Sequence, residues 1–242
     1  MVNDLNTTRV LRVAGICALL GVLAAFWGSA VGAVHGLGGQ EIPLATEADL
    51  LELAQSQSTY LIREWLFLLY AILLVAEGVG LYYLTRPAGS LAVWAFVAWT
   101  AGIFIGIVQD AALVAFVTQF PPDYAAADAA TRLALEPLAR TVGAIIGVQQ
   151  SVANGLLGIA LALYSVAVLR TCVGSRAYGV FGIVAAASSL LYALVIGSAS
   201  RFDNLQSFAE QAFGMAVMWD LWTGIVMLRY REPPESSILQ ND

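Results

Sequence analysis

Lysine is absent from this chain of 242 residues, so all eleven basic side chains are Arg. Only 12% of residues are charged, against about 25% in a soluble domain. That shortage excludes an ordinary soluble domain, a disordered chain and a coiled coil. Histidine occurs once, as His35, with no cysteine or second histidine nearby; zinc sites need several such ligands, so neither a metal nor a cofactor is expected. Two cysteines, Cys17 and Cys172, form neither a CxxC pair nor a disulfide framework. The net charge of -6 argues against nucleic acid as a partner. No HExxH, DDxxD or Ser/His/Asp arrangement is present, so the balance leans away from an enzyme.

What the chain has is apolar length: 60% of its residues are hydrophobic. About 20 apolar residues cross a bilayer core. Six segments reach that length, at 13–34, 65–84, 91–120, 141–169, 178–196 and 208–228. The expected fold class is an all-α membrane protein, a six-transmembrane-helix bundle in a single domain over 1–231, with the lipid bilayer as its first partner. Residues 232–242, with Pro233-Pro234, form a flexible cytoplasmic tail. The first run is longer than the 7–15 residues typical of a signal core, so it is expected to stay as an anchor.

Arginine orients the bundle. Arg9, Arg12, Arg86, Arg170, Arg176, Arg229 and Arg231 fall on one side of six alternating spans; Arg63, Arg132, Arg140 and Arg201 fall on the other. The positive-inside rule then puts both termini in the cytoplasm. Each of the two long outer connections is expected to carry a short amphipathic helix at the membrane surface. Thr46-Glu47-Ala48-Asp49 resembles a capping box ahead of Leu50, Leu51 and Leu53, and Pro121-Pro122-Asp123 is read as opening a helix through 125–138. The missing lysine, with abundant Ala, Gly and Arg, points to a GC-rich bacterium and its cytoplasmic membrane.

Three stretches carry a family resemblance: Arg12-Val13-Ala14-Gly15 at the first span, the acidic outer helix leading into Arg63, and Leu81-Tyr82-Tyr83-Leu84-Thr85-Arg86-Pro87 closing the second span. They resemble bacterial six-helix integral membrane proteins whose shared domain has no known function. The resemblance implies an inner-membrane six-helix bundle and brings no activity or ligand with it.

Ionisable groups inside spans are costly and point to function. Glu77 lies nine residues before Arg86 and Asp220 nine before Arg229, so both sit roughly 13 Å from the inner boundary. Asp110, Gln149, Gln150 and Asn154 lie at comparable depth from the outer side. The polar groups therefore approach one midplane level, or two levels if the third and fourth helices tilt little. Arg63, Tyr70 and Glu77 repeat every seven residues on one face; Gly102, Gly106 and Asp110 repeat every four; Gly143, Gly147, Gln150, Asn154 and Gly158 form a small-and-polar stripe. Such stripes let helices approach closely and turn their polar groups towards protein.

No cation is expected at that depth, so each acid is neutral, amide-paired, wetted or cation-holding. Trp219 and Trp222 flank Asp220 and belong either to packing or to a ligand pocket; Trp27, Trp65, Trp94 and Trp99 fit an aromatic belt or packing. Three functions follow. The first is binding or passage of a small apolar molecule or a proton, through Asp110, Gln149, Gln150, Asn154, Glu77, Asp220, Trp219 and Trp222. The second is an intramembrane enzyme using a protonated Asp220 or Glu77 on a lipid or isoprenoid substrate. The third is an accessory subunit of a membrane complex. Self-association and a membrane-complex partner both remain open.

The orientation has a direct check. A cysteine placed at Asp49 or Asp128 is expected to react with an impermeant thiol reagent on intact cells, and one at Glu235 to stay unreacted. Labelling at Glu235 would overturn the topology.

Overall fold

A computed structural model describes residues 2–34, 47–197 and 203–230, with side chains described for 6–34, 47–196 and 214–230. His35, Thr46, Arg201, Arg231 and the tail 232–242 lie outside the described residues. The described chain is helical: α1 (Val2–Val34), α2 (Glu47–Gln55), α3 (Gln57–Thr85), α4 (Ser90–Ala126), α5 (Ala129–Thr171), α6 (Arg176–Gly197) and α7 (Asp203–Arg229). A helix satisfies its own N–H and C=O groups, which is the condition for running through hydrocarbon. Five segments are long and apolar enough to cross a membrane: Asn6–Val34, Gln57–Ala88, Ser90–Ala126, Ala129–Thr171 and Arg176–Ile196. This is the signature of a multi-pass membrane protein. At 27 residues α7 is about 40 Å long.

The long helices close a ring. Each of α1, α3, α4, α5, α6 and α7 packs on the next in chain order, and α7 returns to α1. α3 also touches α5 and α7 across the ring. Apolar side chains occupy both the inside and the outside: Phe26, Trp94, Phe104 and Leu194 are each more than 60% exposed, whereas Leu81, Tyr164 and Trp219 are fully buried. This double use of apolar residues explains why the spans show no polar face with the helical period.

Glycine permits the ring to close at α1 and α7. A Cβ on Gly15 would stand 2.9 Å from the Gly224 carbonyl oxygen, and one on Gly224 would stand 3.1 Å from that of Gly15. Each glycine therefore faces the other helix's backbone, and only hydrogen fits. The expected glycine stripes hold in part. Gly102 and Gly158 abut α5 and α6 at Ala153–Leu157 and Leu190. Gly106 and Gly147 have nothing within 4 Å of a built Cβ, so close approach does not explain them.

The second long connection differs from expectation. Pro121 and Pro122 do not open a separate helix. α4 runs through both to Ala126, the chain breaks at Ala127, and Asp128 begins the 43-residue α5. Residues 129–138 are thus the first turns of the fourth long helix. The reason lies in hydrogen bonding. Two prolines cannot donate to the carbonyls four residues back, those of Val117 and Thr118. Gln57 supplies both bonds instead: its Nε2 donates to Val117 O at 2.9 Å and to Thr118 O at 3.0 Å. The end of α4 is closed by Arg132, which donates to the carbonyls of Tyr124 and Ala125. The Asp128 carboxylate accepts from Thr131 N at 2.7 Å, and that bond holds its carboxyl below the usual range.

The short helix expected in the first long connection is present as α2, and it folds onto protein rather than lying free at a membrane surface. Leu50 and Leu53 are buried with Tyr60 of α3, Val117 and Tyr124 of α4, and Ala139 of α5, in a second apolar core.

Gln57→Leu keeps the bulk and removes the amide. It is expected to lower stability by about 1–3 kcal/mol, because two carbonyls lose their donor. Thermal unfolding in detergent measures this, and a change below about 0.5 kcal/mol would show that water replaces the amide at no cost.

Candidate functional site

The heptad face of α3 turns inward along its whole length. Arg63, Tyr70 and Glu77 are 1%, 8% and 0% exposed. Two short polar groupings result. Near the start of α3, Arg63 Nε lies 3.7 Å from Glu64 Oε1 in a buried ion pair, and the half-buried Asp110 of α4 feels the Glu64 carboxyl electrostatically. Arg63 also lies over the Phe67 ring at 5.6 Å. About four turns further along, Glu77 meets Asp220 of α7, which is 2% exposed, and the two carboxyls interact electrostatically.

Five helices hold this carboxyl pair, each contributing one buried aromatic: Tyr70 from α3, Trp99 from α4, Tyr164 from α5, Tyr178 from α6 and Trp219 from α7. Tyr70 donates its hydroxyl to Asp220 Oδ2 at 2.6 Å, a short bond of the charge-assisted class. The Trp99 indole N–H donates to Leu74 O at 3.0 Å, and the Tyr164 hydroxyl to Gly78 O at 3.2 Å. These two bonds grip α3 on either side of Glu77. Tyr178 and Trp219 stack at 5.5 Å and 10° between planes. The Tyr178 hydroxyl shares a 2.6 Å hydrogen bond with Thr223 Oγ1.

Not every polar atom here is satisfied. Both oxygens of Glu77, Ser165 Oγ and Trp219 Nε1 are buried and have no hydrogen-bond partner among the described residues. Buried polar atoms are nearly always paired, and exceptions mark function or strain. Gly182 of α6 faces two of them: a Cβ there would collide with Ser165 Oγ and Trp219 Nε1. Among the described residues, no group of three or more His, Cys, Asp or Glu is placed to hold a metal ion.

The other expected site residues gather elsewhere. Gln150 donates through Nε2 to the Tyr192 hydroxyl of α6 at 3.0 Å. Asn154 donates to the Gln150 carbonyl of its own helix at 2.9 Å. Ser151 Oγ donates to Ala193 O at 2.7 Å. Gln150 and Ser151 thus tie α5 to α6. Gln149, Gln150, Asn154 and Asp110 are all half-buried. Trp222 is half-buried and tilts against Tyr178 and Phe181. Trp27, Trp65 and Trp94 are exposed at 59%, 58% and 66%, whereas Trp99 belongs to the core. Sequence reasoning did not connect Tyr164, Tyr178, Ser165 or Thr223 with the carboxyls. Their hydroxyls inside apolar spans were the available signal.

The chain matches no protein-family model, no curated protein and no solved structure.

Tyr70→Phe removes one hydroxyl and keeps the ring. It leaves Asp220 Oδ2 without its donor, so a loss of about 1–3 kcal/mol is expected by thermal unfolding in detergent. Stability equal to the parent protein would mean that the bond contributes nothing to holding α3 on α7.

Proposed function

We propose that the chain is a six-span protein of a bacterial cytoplasmic membrane, with both termini inside, that takes up and passes a proton at the Glu77–Asp220 pair. The observation that carries this reading is the enclosure of two interacting carboxyls, 0% and 2% exposed, with both Glu77 oxygens unpartnered. Two carboxylates without a cation beside them cannot both stay charged in a low-dielectric interior, so the pair retains a proton. The Tyr70 hydroxyl stabilises the charged form of Asp220. A shared proton of this kind belongs to the pair rather than to either residue.

The six-span topology is supported by α7, whose 27 residues exceed the bilayer thickness and whose packing closes the ring. The arginine bias and the resemblance to bacterial six-helix membrane proteins support the orientation and the membrane. Breaks inside the spans are few, which favours passage through fixed groups over rocking around broken helices.

The test pairs stability with flux in proteoliposomes loaded with a pH-sensitive dye. Asp220→Asn and Glu77→Gln are expected to fold and to pass protons about a hundredfold more slowly. Asp220→Glu retains part of the flux, because it keeps an ionisable group. Wild-type flux from a folded Asp220→Asn variant would reduce the pair to a structural strut.

A further inference from the structure

We propose that the cleft between the α5–α6 turn and the last turns of α7 is the aqueous mouth of the carboxyl pair, and that the hydroxyls of Tyr178 and Thr223 carry the proton between them. The proposal rests on the proton-passing reading above and adds the side from which the pair is reached. The cleft encloses about 510 Å³ and is lined by Thr171, Cys172, Gly174, Trp222, Val226 and Arg229, among others. It lies at the end of the bundle that carries Arg170, Arg176 and Arg229.

Tyr178 stands between residues of this cleft and Trp219, the neighbour of Asp220. Tyr178 is fully buried in the first turn of α6. On its cleft side it packs against two lining residues. A Cβ on Gly174 would stand 3.2 Å from its ring, and Trp222 tilts against it at 5.8 Å. On its inner side it stacks on Trp219, the neighbour of Asp220. Its hydroxyl reaches Thr223 at 2.6 Å and lies within electrostatic range of Glu77 and Tyr164, and of Asp220. Thr223 follows the cleft residue Trp222 directly and is 0% exposed. It stands six residues before Arg229, about 9 Å from the end of the helix. A phenylalanine would fill the same space. Two hydroxyls, hydrogen-bonded to each other between a cleft and a carboxyl pair, form a proton path.

The transfer balances. When the lining residue Trp222 yields to water, a hydronium gives a proton to the buried Thr223 Oγ1. Thr223 passes its own hydroxyl proton to the Tyr178 oxygen, and Tyr178 passes its original proton, through a bridging water, to the carboxyl pair once that pair has released its own. One proton has moved inward, one water is left in the cleft, and both hydroxyls are intact. Glu77 accepts because neither of its oxygens is engaged elsewhere. The groups that bias this step are Glu77 and Tyr70 of α3, Tyr164 of α5 and Asp220 of α7.

The natural thiol in the cleft provides the test. Cys172 is exposed, whereas Cys17, the second free cysteine, is half-buried. In a Cys17→Ser background, a membrane-impermeant methanethiosulfonate applied from the cleft side is expected to slow proton flux roughly tenfold or more. The same reagent should leave a Cys17→Ser, Cys172→Ser protein unaffected. Tyr178→Phe and Thr223→Val should slow flux while the total proton uptake at equilibrium stays unchanged. Unchanged flux after complete modification of Cys172, with Asp220→Asn still inactive, would overturn the route and leave the carboxyl pair as the site. Absence of flux in every form, the parent included, would overturn both.

Discussion

The bond from the Tyr70 hydroxyl to Asp220 joins helices that start at opposite ends of the chain, across 150 residues. In hydrocarbon a polar side chain has no water to turn to, so Tyr70, Glu77 and Asp220 must find one another or other protein groups. That requirement places α7 against α3. Once α7 is there, it also lies against α1, and the ring closes through the paired glycines at 15 and 224. Trp99 and Tyr164 then bond to the carbonyls of Leu74 and Gly78, which fixes the stretch of α3 that carries Glu77. Burial of one carboxyl pair thereby sets the positions of five helices.

The opposite end of the bundle follows a different rule. There the difficulty is backbone, created when two successive prolines withdraw donors from Val117 and Thr118. A single amide, Gln57, supplies both, and Arg132 does the same for the last carbonyls of α4. α2 then covers this region with Leu50 and Leu53. The two ends thus differ in character. One is a capped, polar-bonded closure around a second apolar core. The other holds the cleft, Cys172 and the exposed arginines, with Tyr178 between the cleft and the carboxyls.

This asymmetry bears on function. A carboxyl pair sealed on all sides could only brace the helices. A pair with a hydroxyl chain leading from it towards a cleft can exchange protons with water on one side. The buried Arg63–Glu64 pair lies on α3 towards the other end, with Asp110 of α4 in its electrostatic range. Between the two groupings stand Phe67 and the apolar turn around Leu68, which interrupt the polar row.

The long helices were legible in the amino-acid order because hydrocarbon thickness sets a length that a chain of apolar residues either reaches or does not. Glu77 and Asp220 were legible for a related reason: a carboxyl within such a run stands out whatever the fold. Their shared depth followed from helix rise, and the inward face of α3 from the spacing of Arg63, Tyr70 and Glu77. What the order could not express is which helix faces which. Gln150 and Asn154 stood at a similar depth, yet they bond to α6 and to their own helix, because α5 turns that face towards Tyr192. Gly106 and Gly147 matched the stripes, but no described neighbour stands where their Cβ would be, since spacing identifies a face and not its neighbour. Pro121-Pro122 looked like a helix start because proline favours that position; only the distant Gln57 lets α4 continue through it. Sequence determined the lengths, the depths and the carboxyls, all of which depend on one helix at a time. Tertiary structure alone decided the Glu77–Asp220 pairing, the five-aromatic enclosure and the place of Tyr178 before the cleft, because each of these is a contact between helices far apart in the chain.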